Sequence, residues 1–261
     1  TLSEQDIDRL LGELTIKLSN DDLGRAFYKI LLDGINGLRI IDLEDESRNT
    51  YHAVTELTYR NGEDEFRPDI TLLINGLPLA FVEVKKPNNR DGIIAEHNRI
   101  NTRFSKEVFR RFVNITQLMV FSNNMEYDDA DPEPIEGAFY ASSSYQKLFF
   151  NRFREEEPQL HTAIQEIDGQ KEDFILSDNN LVSIKGTSEY CTNLNGLTPT
   201  NRILTSLFSH NRFLKLLKYG FAYVERTNKD GIKTLEKHVM RYPQFFATMA
   251  IEKKLDSGVK H

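Results

Sequence analysis

The 261-residue chain has a single cysteine, Cys191, and no long apolar run. One cysteine cannot form an internal disulfide or build a cysteine-rich zinc site. Because disulfides belong to oxidising compartments, an intracellular location is the default. No stretch of about 18 consecutive apolar residues could span a bilayer, and the acidic, amphipathic N-terminus differs from a signal peptide. We therefore expect a soluble protein without a membrane association.

The chain also lacks a positive balance of charge, since its formal net charge is −7. This argues against a protein that coats nucleic acid through bulk charge, but a local basic face on a DNA enzyme remains compatible with it. The six histidines show no metal-ligand spacing. Any metal site is therefore expected to use carboxylates.

Two hydrophobic periodicities alternate along the chain and predict an α/β fold. Helical spacing predicts helices over residues 3–18, 21–33, 93–112, 143–166, 198–221 and 236–255. Alternation and short apolar runs predict strands over residues 38–42, 52–59, 69–75, 79–85, 115–122 and 138–141. Residues 169–180 are polar and are predicted to form a loop. Turn signals stand at Asn61-Gly62 and at Gly76-Leu77-Pro78, and the helix after residue 92 offers a crossover to a parallel strand at 115–122.

One constellation carries chemistry: Asp69, thirteen intervening residues, and then Glu83-Val84-Lys85. Glu83 and Lys85 are two apart on a strand, so their side chains share a face, and a hairpin can bring Asp69 to the same point. Carboxylates suit Mg²⁺, which prefers oxygen ligands, and the Val84 carbonyl would be a third oxygen. A lysine beside such an ion can orient or deprotonate a water, which is what phosphodiester hydrolysis needs.

The same residues also have a structural interpretation. A Glu and a Lys within an otherwise apolar strand need a reason, because burying unpaired charge is costly. A metal site is one reason, and a structural ion pair between the two is another.

The segment RPDITLLINGLPLAFVEVKKP resembles the nuclease signature of the restriction (R) subunit of type I restriction–modification enzymes. The NGLPL hairpin between the Asp and the E-x-K is its most distinctive part. Further similarity occurs in NITQLMVFSNNMEY, FFNRFREEE and RYPQFFA, so the resemblance covers most of residues 20–255.

This resemblance implies a PD-(D/E)xK restriction-endonuclease-like core, a mixed central sheet flanked by helices, with additional C-terminal helices. It divides the chain into a nuclease core (1–165), a helical extension (166–235) and the truncated start of the first RecA-like motor lobe (236–261). It makes Asp69 and Glu83 ligands of Mg²⁺ and Lys85 the catalytic lysine. Gln244 corresponds to an adenine-reading glutamine, and ATP is expected as a cofactor of the full-length protein only.

Two features depart from related nucleases. A Q-x-x-x-Y motif usually follows the E-x-K strand, but Ile100 and Phe104 stand at the equivalent positions. Arg99 and Arg103 lie four apart on the same predicted helix, where they either contact a DNA phosphate or form a solvated face. An upstream helical glutamate is also common; Glu13 is the candidate here, with ordinary surface placement as the alternative.

No G-x-x-x-x-G-K-[ST] phosphate loop occurs in the sequence, so the chain itself is not expected to hydrolyse ATP. The expected function is Mg²⁺-dependent, non-specific cutting of double-stranded DNA after ATP-driven translocation. The expected partners are the methyltransferase (modification) and specificity subunits, in a prokaryotic cytoplasm. The alternative is a non-catalytic docking module that links the motor to those subunits. A stand-alone repair nuclease is disfavoured by the NGLPL hairpin and the Gln244 segment.

Overall fold

The structure, a computed structural model, describes residues 3–87, 92–127, 136–157, 168–227 and 229–258. Its strands are β1 Tyr51–Thr55, β2 Tyr59–Asn61, β3 Asp64–Phe66, β4 Ile70–Ile74, β5 Leu77–Val84, β6 Leu118–Ser122, β7 Ala138–Ser142, β8 Asn151–Arg152, β9 Phe221–Thr227 and β10 Lys233–Val239. Its α-helices are α1 Glu4–Leu18, α2 Arg25–Asp33, α3 Gly92–Phe104, α4 Arg110–Ile115, α5 Gly169–Asp178, α6 Ser188–Asn193, α7 Pro199–Phe208, α8 His210–Tyr219 and α9 Tyr242–Asp256.

The central sheet has the order β1-β4-β5-β6-β7-β8. Only the β5–β6 pair is parallel; the other neighbours are antiparallel. The parallel pair is joined through α3 and α4, as the sequence predicted, because parallel neighbours need a crossover connection. A mixed α/β architecture with a central mixed sheet flanked by helices is thereby confirmed.

The β4–β5 hairpin turns at Asn75 and Gly76, both with positive φ (50° and 81°). Asn-Gly is the pair that tolerates this backbone in a two-residue loop, so the turn comes one residue earlier than predicted. Pro78 follows within β5, where the register shifts between Leu72 and Leu73. A strand proline is expected beside such an irregularity, because it has no N–H to donate.

The two faces of the sheet bury different cores. One face packs against α2, α7 and α8 and carries Ala80 and Val82 of β5. The other packs against α3 and α4 and carries Phe81 with a cluster of aromatic rings. Because side chains alternate along a strand, Glu83 and Lys85 lie on the α3 side.

A second hairpin, β9–β10, joins the sheet at β7 through buried polar contacts. Ser142 Oγ donates to the Lys237 carbonyl at 2.7 Å, and Lys237 Nζ donates to the Thr116 carbonyl at 3.1 Å and Ser143 Oγ at 3.2 Å. Tyr140 Oη donates to the Met240 carbonyl at 2.8 Å. The core on the α2, α7 and α8 side of the sheet therefore contains side chains from as early in the chain as Leu14 and as late as Phe245. The division at 165/166 and 235/236 stays a prediction.

Several local predictions were wrong. The predicted strand 38–42 is irregular. Its Ile41 is buried, but the segment pairs with no strand of the described sheet. A turn holds it, in which the Asn49 side chain accepts a hydrogen bond from the Asp42 N–H. The predicted helix 143–166 is not helical over 143–157, where Leu148 and Phe150 enter the same aromatic core from a segment outside any helix or strand; residues 158–166 lie outside the described residues.

Other errors concern the C-terminal half. Most of the predicted loop 169–180 is helix α5, Gly169–Asp178, with the Asp168 side chain accepting from the Gln170 N–H at 2.9 Å as an N-cap. Only Leu176 of that helix is buried, so the apolar period was weak. The predicted helix 236–255 starts as β10 and becomes α9 only at Tyr242. The predicted helix 93–112 breaks after Phe104, and 198–221 breaks at Ser209.

Candidate active site

Asp69 stands at the mouth of the β4–β5 hairpin, immediately before β4. Ile70 pairs with Val82, so the antiparallel register sets Asp69 opposite Glu83. Asp69 Oδ2 accepts a 2.7 Å hydrogen bond from the Val84 N–H. The hairpin therefore brings the two predicted carboxylates together, as the spacing required.

Glu83 is the least ordinary residue of the strand, because its carboxylate is buried with 1% of the residue exposed. Burial raises its pKa to about 7, and the neighbouring Glu96 and Asp69 carboxylates add to the rise, against a lowering contribution from Lys85. Its Oε1 has no hydrogen-bond partner among the residues that the structure describes. A buried charged oxygen without a partner is costly, and a bound cation would compensate it.

Lys85 follows two residues later on the same face, with 19% of its side chain exposed. Its Nζ lies 3.3 Å from Glu83 Oε2 and 3.2 Å from Glu96 Oε2. Burial alone would lower the pKa of this amine, but the Glu96 and Glu83 carboxylates raise it by more, so the net direction is upward. The structure thus favours a charged ammonium at this position.

Glu96 was not among the predicted site residues; it lies on α3 and is 4% exposed. Its Oε1 accepts from Arg99 Nε at 2.9 Å and Nη2 at 2.7 Å, and Arg99 Nη2 lies 3.5 Å from Glu83 Oε2. The sequence did contain a signal: Ile93, Glu96 and Ile100 are spaced as one helix face, and the acid interrupts its apolar stripe.

Arg99 and Arg103, the predicted DNA contacts, have different surroundings. Arg99 is half exposed and pairs with the two buried carboxylates. Arg103 lies with its Cζ 4.3 Å from the centroid of the Phe66 ring, and its Nη1 is buried without a hydrogen-bond partner in the described part of the chain. Both line an open cleft of about 400 Å³ together with Lys106 and Asp64. Contact with DNA stays a prediction for both.

Ile100 and Phe104, at the positions of the missing Q-x-x-x-Y motif, are 0% and 1% exposed. They pack in the aromatic core between α3 and the sheet. The apolar substitutions therefore fill the core rather than face the carboxylates.

Two further predicted residues lie on other elements. Glu13 is on α1, where it pairs with Arg9 Nε at 3.2 Å and accepts from Asn36 at 2.9 Å. Gln244 is exposed in the first turn of α9, and its Oε1 accepts from the Arg241 N–H at 3.0 Å. That hydrogen bond caps the helix, so it explains why a glutamine stands at this position without any bound nucleotide. The adenine contact stays a prediction.

The donors present fit a hard divalent cation. Asp69, Glu83 and the Val84 carbonyl offer oxygen only, the type that Mg²⁺ prefers, and Glu83 Oε1 has no other partner in the described residues. A set of three or more His, Cys, Asp or Glu side chains arranged for a metal is absent from the described ranges. The proposed ligands are two carboxylates and one main-chain oxygen, so they do not make a group of three side chains.

Sequence comparison matches residues 2–157 to the model for the type I restriction enzyme R protein N terminus. The chain belongs to this family. The matched range contains Asp69, Glu83, Lys85 and the Glu96–Arg99 pair, so the whole candidate site lies within the family's N-terminal region. The resemblance predicted from the RPDITLLINGLPLAFVEVKKP segment is thereby confirmed.

Two relatives illustrate this family membership. The chain is 24% identical over 220 residues to a putative type I restriction enzyme MjaVIIP endonuclease subunit of Methanocaldococcus jannaschii, covering 84% of this chain and 16% of that protein. It is 29% identical over 129 residues to the type I restriction enzyme HindI endonuclease subunit of Haemophilus influenzae, covering 44% of this chain and 12% of that protein. The chain therefore spans less than a fifth of the length of either. No helix in the described ranges is long and apolar enough to cross a membrane.

Proposed function

We propose that this chain supplies the nuclease centre of a type I restriction enzyme and cuts double-stranded DNA by Mg²⁺-dependent hydrolysis without reading base sequence. The observation that carries the proposal is Glu83: a buried carboxylate beside Asp69 and Lys85, one oxygen of which has no partner among the described residues. The family membership and the endonuclease names of the relatives support it. We assign the sheet, with Pro68-Asp69 just before β4 and Glu83-Val84-Lys85 at the end of the adjacent β5, to the PD-(D/E)xK class.

Asp69, Glu83 and the Val84 carbonyl would hold the ion. When bound, Mg²⁺ polarises the phosphoryl group and lowers the pKa of a coordinated water. Lys85 keeps a positive charge beside these oxygens, so it stabilises negative charge that develops on the phosphate, and a role as a base would require loss of that proton. Arg99, Arg103 and Lys106 line the adjoining cleft, where they would bind the phosphate backbone.

The rest of the reaction is assigned to the remainder of the enzyme. We propose that a motor outside these residues moves DNA with ATP, that Gln244 contributes to the adenine site of that motor, and that methyltransferase and specificity subunits select the DNA. The chain boundaries at 165/166 and 235/236 would separate the nuclease core, its extension and the start of the motor. A prokaryotic cytoplasm is the proposed location.

The test is Lys85→Ala in the full-length protein assembled with its modification and specificity subunits. Cutting of a circular plasmid carrying the recognition site should fall by at least about a hundredfold, ~2.7 kcal/mol of transition-state stabilisation, while ATP hydrolysis continues. Lys86→Ala, the exposed neighbour on the same strand end, serves as the control. Cutting by Lys85→Ala at the unchanged rate would refute the proposed centre.

One observation favours the second candidate, a non-catalytic docking module. Glu83 Oε2 already lies within 3.3 Å of Lys85 Nζ and 3.5 Å of Arg99 Nη2, as in an ion-pair network that only holds helix to sheet. In that case Lys85→Ala would leave cutting unchanged but weaken assembly with the other subunits, which a pull-down of the assembled complex would measure.

A further inference from the structure

We propose that Glu96 is a positioning residue of this nuclease centre, which holds Lys85 and Arg99 in place and shares their charge with Glu83; this rests on the function proposed above. Glu96 lies outside the Asp–Glu–Lys set and would bind no metal itself. Its role follows from how its two oxygens are divided between the two cations.

Each oxygen of Glu96 contacts a different cation. Oε2 lies 3.2 Å from the Nζ of Lys85, the residue that follows β5. Oε1 accepts two hydrogen bonds from Arg99 of its own helix, at 2.9 Å from Nε and 2.7 Å from Nη2. The residue is 4% exposed, so its charge requires these partners. Glu96 thus ties the helix and the strand together through the two cations of the centre.

Glu83 makes competing contacts to the same two cations, and its contact to Arg99 is clearly the longer one. Its Oε2 is 3.3 Å from Lys85 Nζ and 3.5 Å from Arg99 Nη2, whereas the Glu96 contacts to the same two groups are 3.2 and 2.7 Å. If the Glu96 charge were removed, Glu83 would be the remaining buried carboxylate that Lys85 and Arg99 both contact in this network. Two cations drawn onto Glu83 would oppose a metal ion at the same carboxylate, because like charges repel strongly where burial limits screening.

A purely architectural ion pair is the competing explanation, in which Glu96 only secures α3 against the sheet. That role predicts loss of folding stability in proportion to loss of activity. A positioning role instead predicts a defect in the cleavage step in a protein that remains folded and binds DNA normally. Conservative replacement separates the two, since Asp retains the charge but is shorter by one methylene.

The experiment compares Glu96→Gln and Glu96→Asp with Glu107→Gln, which removes one exposed charge shortly after the same helix. In the assembled enzyme, single-turnover plasmid cleavage with Mg²⁺ should fall by about 10–100-fold in Glu96→Gln, the range that supporting residues just outside a metal's ligand set typically show. DNA affinity should match that of the Glu107→Gln control, the circular dichroism spectrum should show a folded protein at the assay temperature, and Glu96→Asp should cut at an intermediate rate. Glu96→Gln cutting at the unchanged rate overturns the proposal. If Glu96→Gln does not fold, Glu96→Asp decides: unchanged cutting by that variant overturns it as well.

A metal-free measurement separates this proposal from the function on which it rests. The Arg99 Nε–H resonance in proton–nitrogen NMR should exchange with solvent about tenfold faster in Glu96→Gln, since the variant loses a hydrogen bond to a charged group. Unchanged exchange would show that Glu96 does not hold Arg99 and would overturn the positioning role. If the exchange rises but Lys85→Ala still cuts, the contact stands and the proposed nuclease function fails.

Discussion

Replacing Glu83 by glutamine should stabilise the folded protein at alkaline pH and have little effect at acidic pH. Folding buries this carboxylate and raises its pKa from the ordinary 4.5 to about 7. Between these values the folded state binds more protons than the unfolded state, so stability falls as pH rises through this window. Glutamine resembles the protonated acid at every pH and therefore escapes that loss.

The size of the effect follows from the same two values. A tenfold change in an equilibrium is worth ~1.36 kcal/mol, so ionised Glu83 costs about 3 kcal/mol of folding free energy at pH 8. At pH 5 the cost is below about 1 kcal/mol, since folded Glu83 is then almost fully protonated. The residue is 1% exposed, so screening by solvent should reduce these figures little.

Urea unfolding at pH 5 and pH 8, followed by circular dichroism, measures the difference directly. Every other titrating group occurs in both proteins, so the difference between Glu83→Gln and the unchanged chain isolates this carboxyl. Glu107→Gln, at an exposed site, should show no comparable pH dependence. Equal free energies of unfolding for Glu83→Gln and the unchanged chain at pH 8 would refute the argument that burial makes this carboxylate costly.

Magnesium adds a second arm to this measurement. An ion that binds only the folded state stabilises it by RT ln(1 + [L]/Kd), about 1.4 kcal/mol at ten times Kd. The unchanged chain should gain this stability at pH 8, whereas Glu83→Gln should gain much less because it has lost an anionic ligand. An equal gain in both proteins would argue against Glu83 as a ligand.

Two further predictions concern the scaffold. Gly24→Ala should lower the free energy of unfolding by more than about 2 kcal/mol, because φ is +77° and a Cβ would lie 2.2 Å from the Asn114 carbonyl oxygen. Gly62→Ala, at φ +61° with open space around it, should cost only about 1 kcal/mol. Equal thermal midpoints for the two variants would contradict this difference. Burial lowers the pKa of Lys237 to about 7, so the unfolded state binds more protons above pH 7. The free energy of unfolding should therefore rise by about 2 kcal/mol from pH 7 to pH 9. Urea titrations of Lys237→Met should lack this rise, and a rise that persists in the variant would come from other groups.

The sequence was most informative where local chemistry dictates the backbone. The hairpin around Asn75-Gly76 and the parallel return of β6 both follow from short-range rules, and they bring Asp69 opposite Glu83. The β9–β10 hairpin was missed although Asp230-Gly231 is a turn signal, because its charged strands show little apolar alternation. Helix α5 was missed since its exposed face carries apolar residues such as Phe174, which is 71% exposed.

The site itself shows the limit of inference along one chain. Asp69, Glu83 and Lys85 share one hairpin, so their meeting needs only a register and the period of a strand. Glu96 reaches them across the packing of α3 on the sheet, and that packing depends on rings contributed by several distant segments. A helix position that breaks an apolar stripe indicates such a contact, but its partner cannot be read from spacing.

The close β4–β5 hairpin has a consequence for how this region can vary. Its two-residue loop and the irregularity at Pro78 fix which residue of β5 faces Ile70. Loss or gain of one residue between them would rotate Glu83 and Lys85 to the opposite side of the sheet and turn Val84 toward α3. Apolar substitutions of the two leucines in the NGLPL segment can be absorbed by repacking, whereas a change of its length would exchange a charged centre for a hydrophobic one. In this chain the length of that loop therefore constrains the charged centre more strictly than the identity of its leucines.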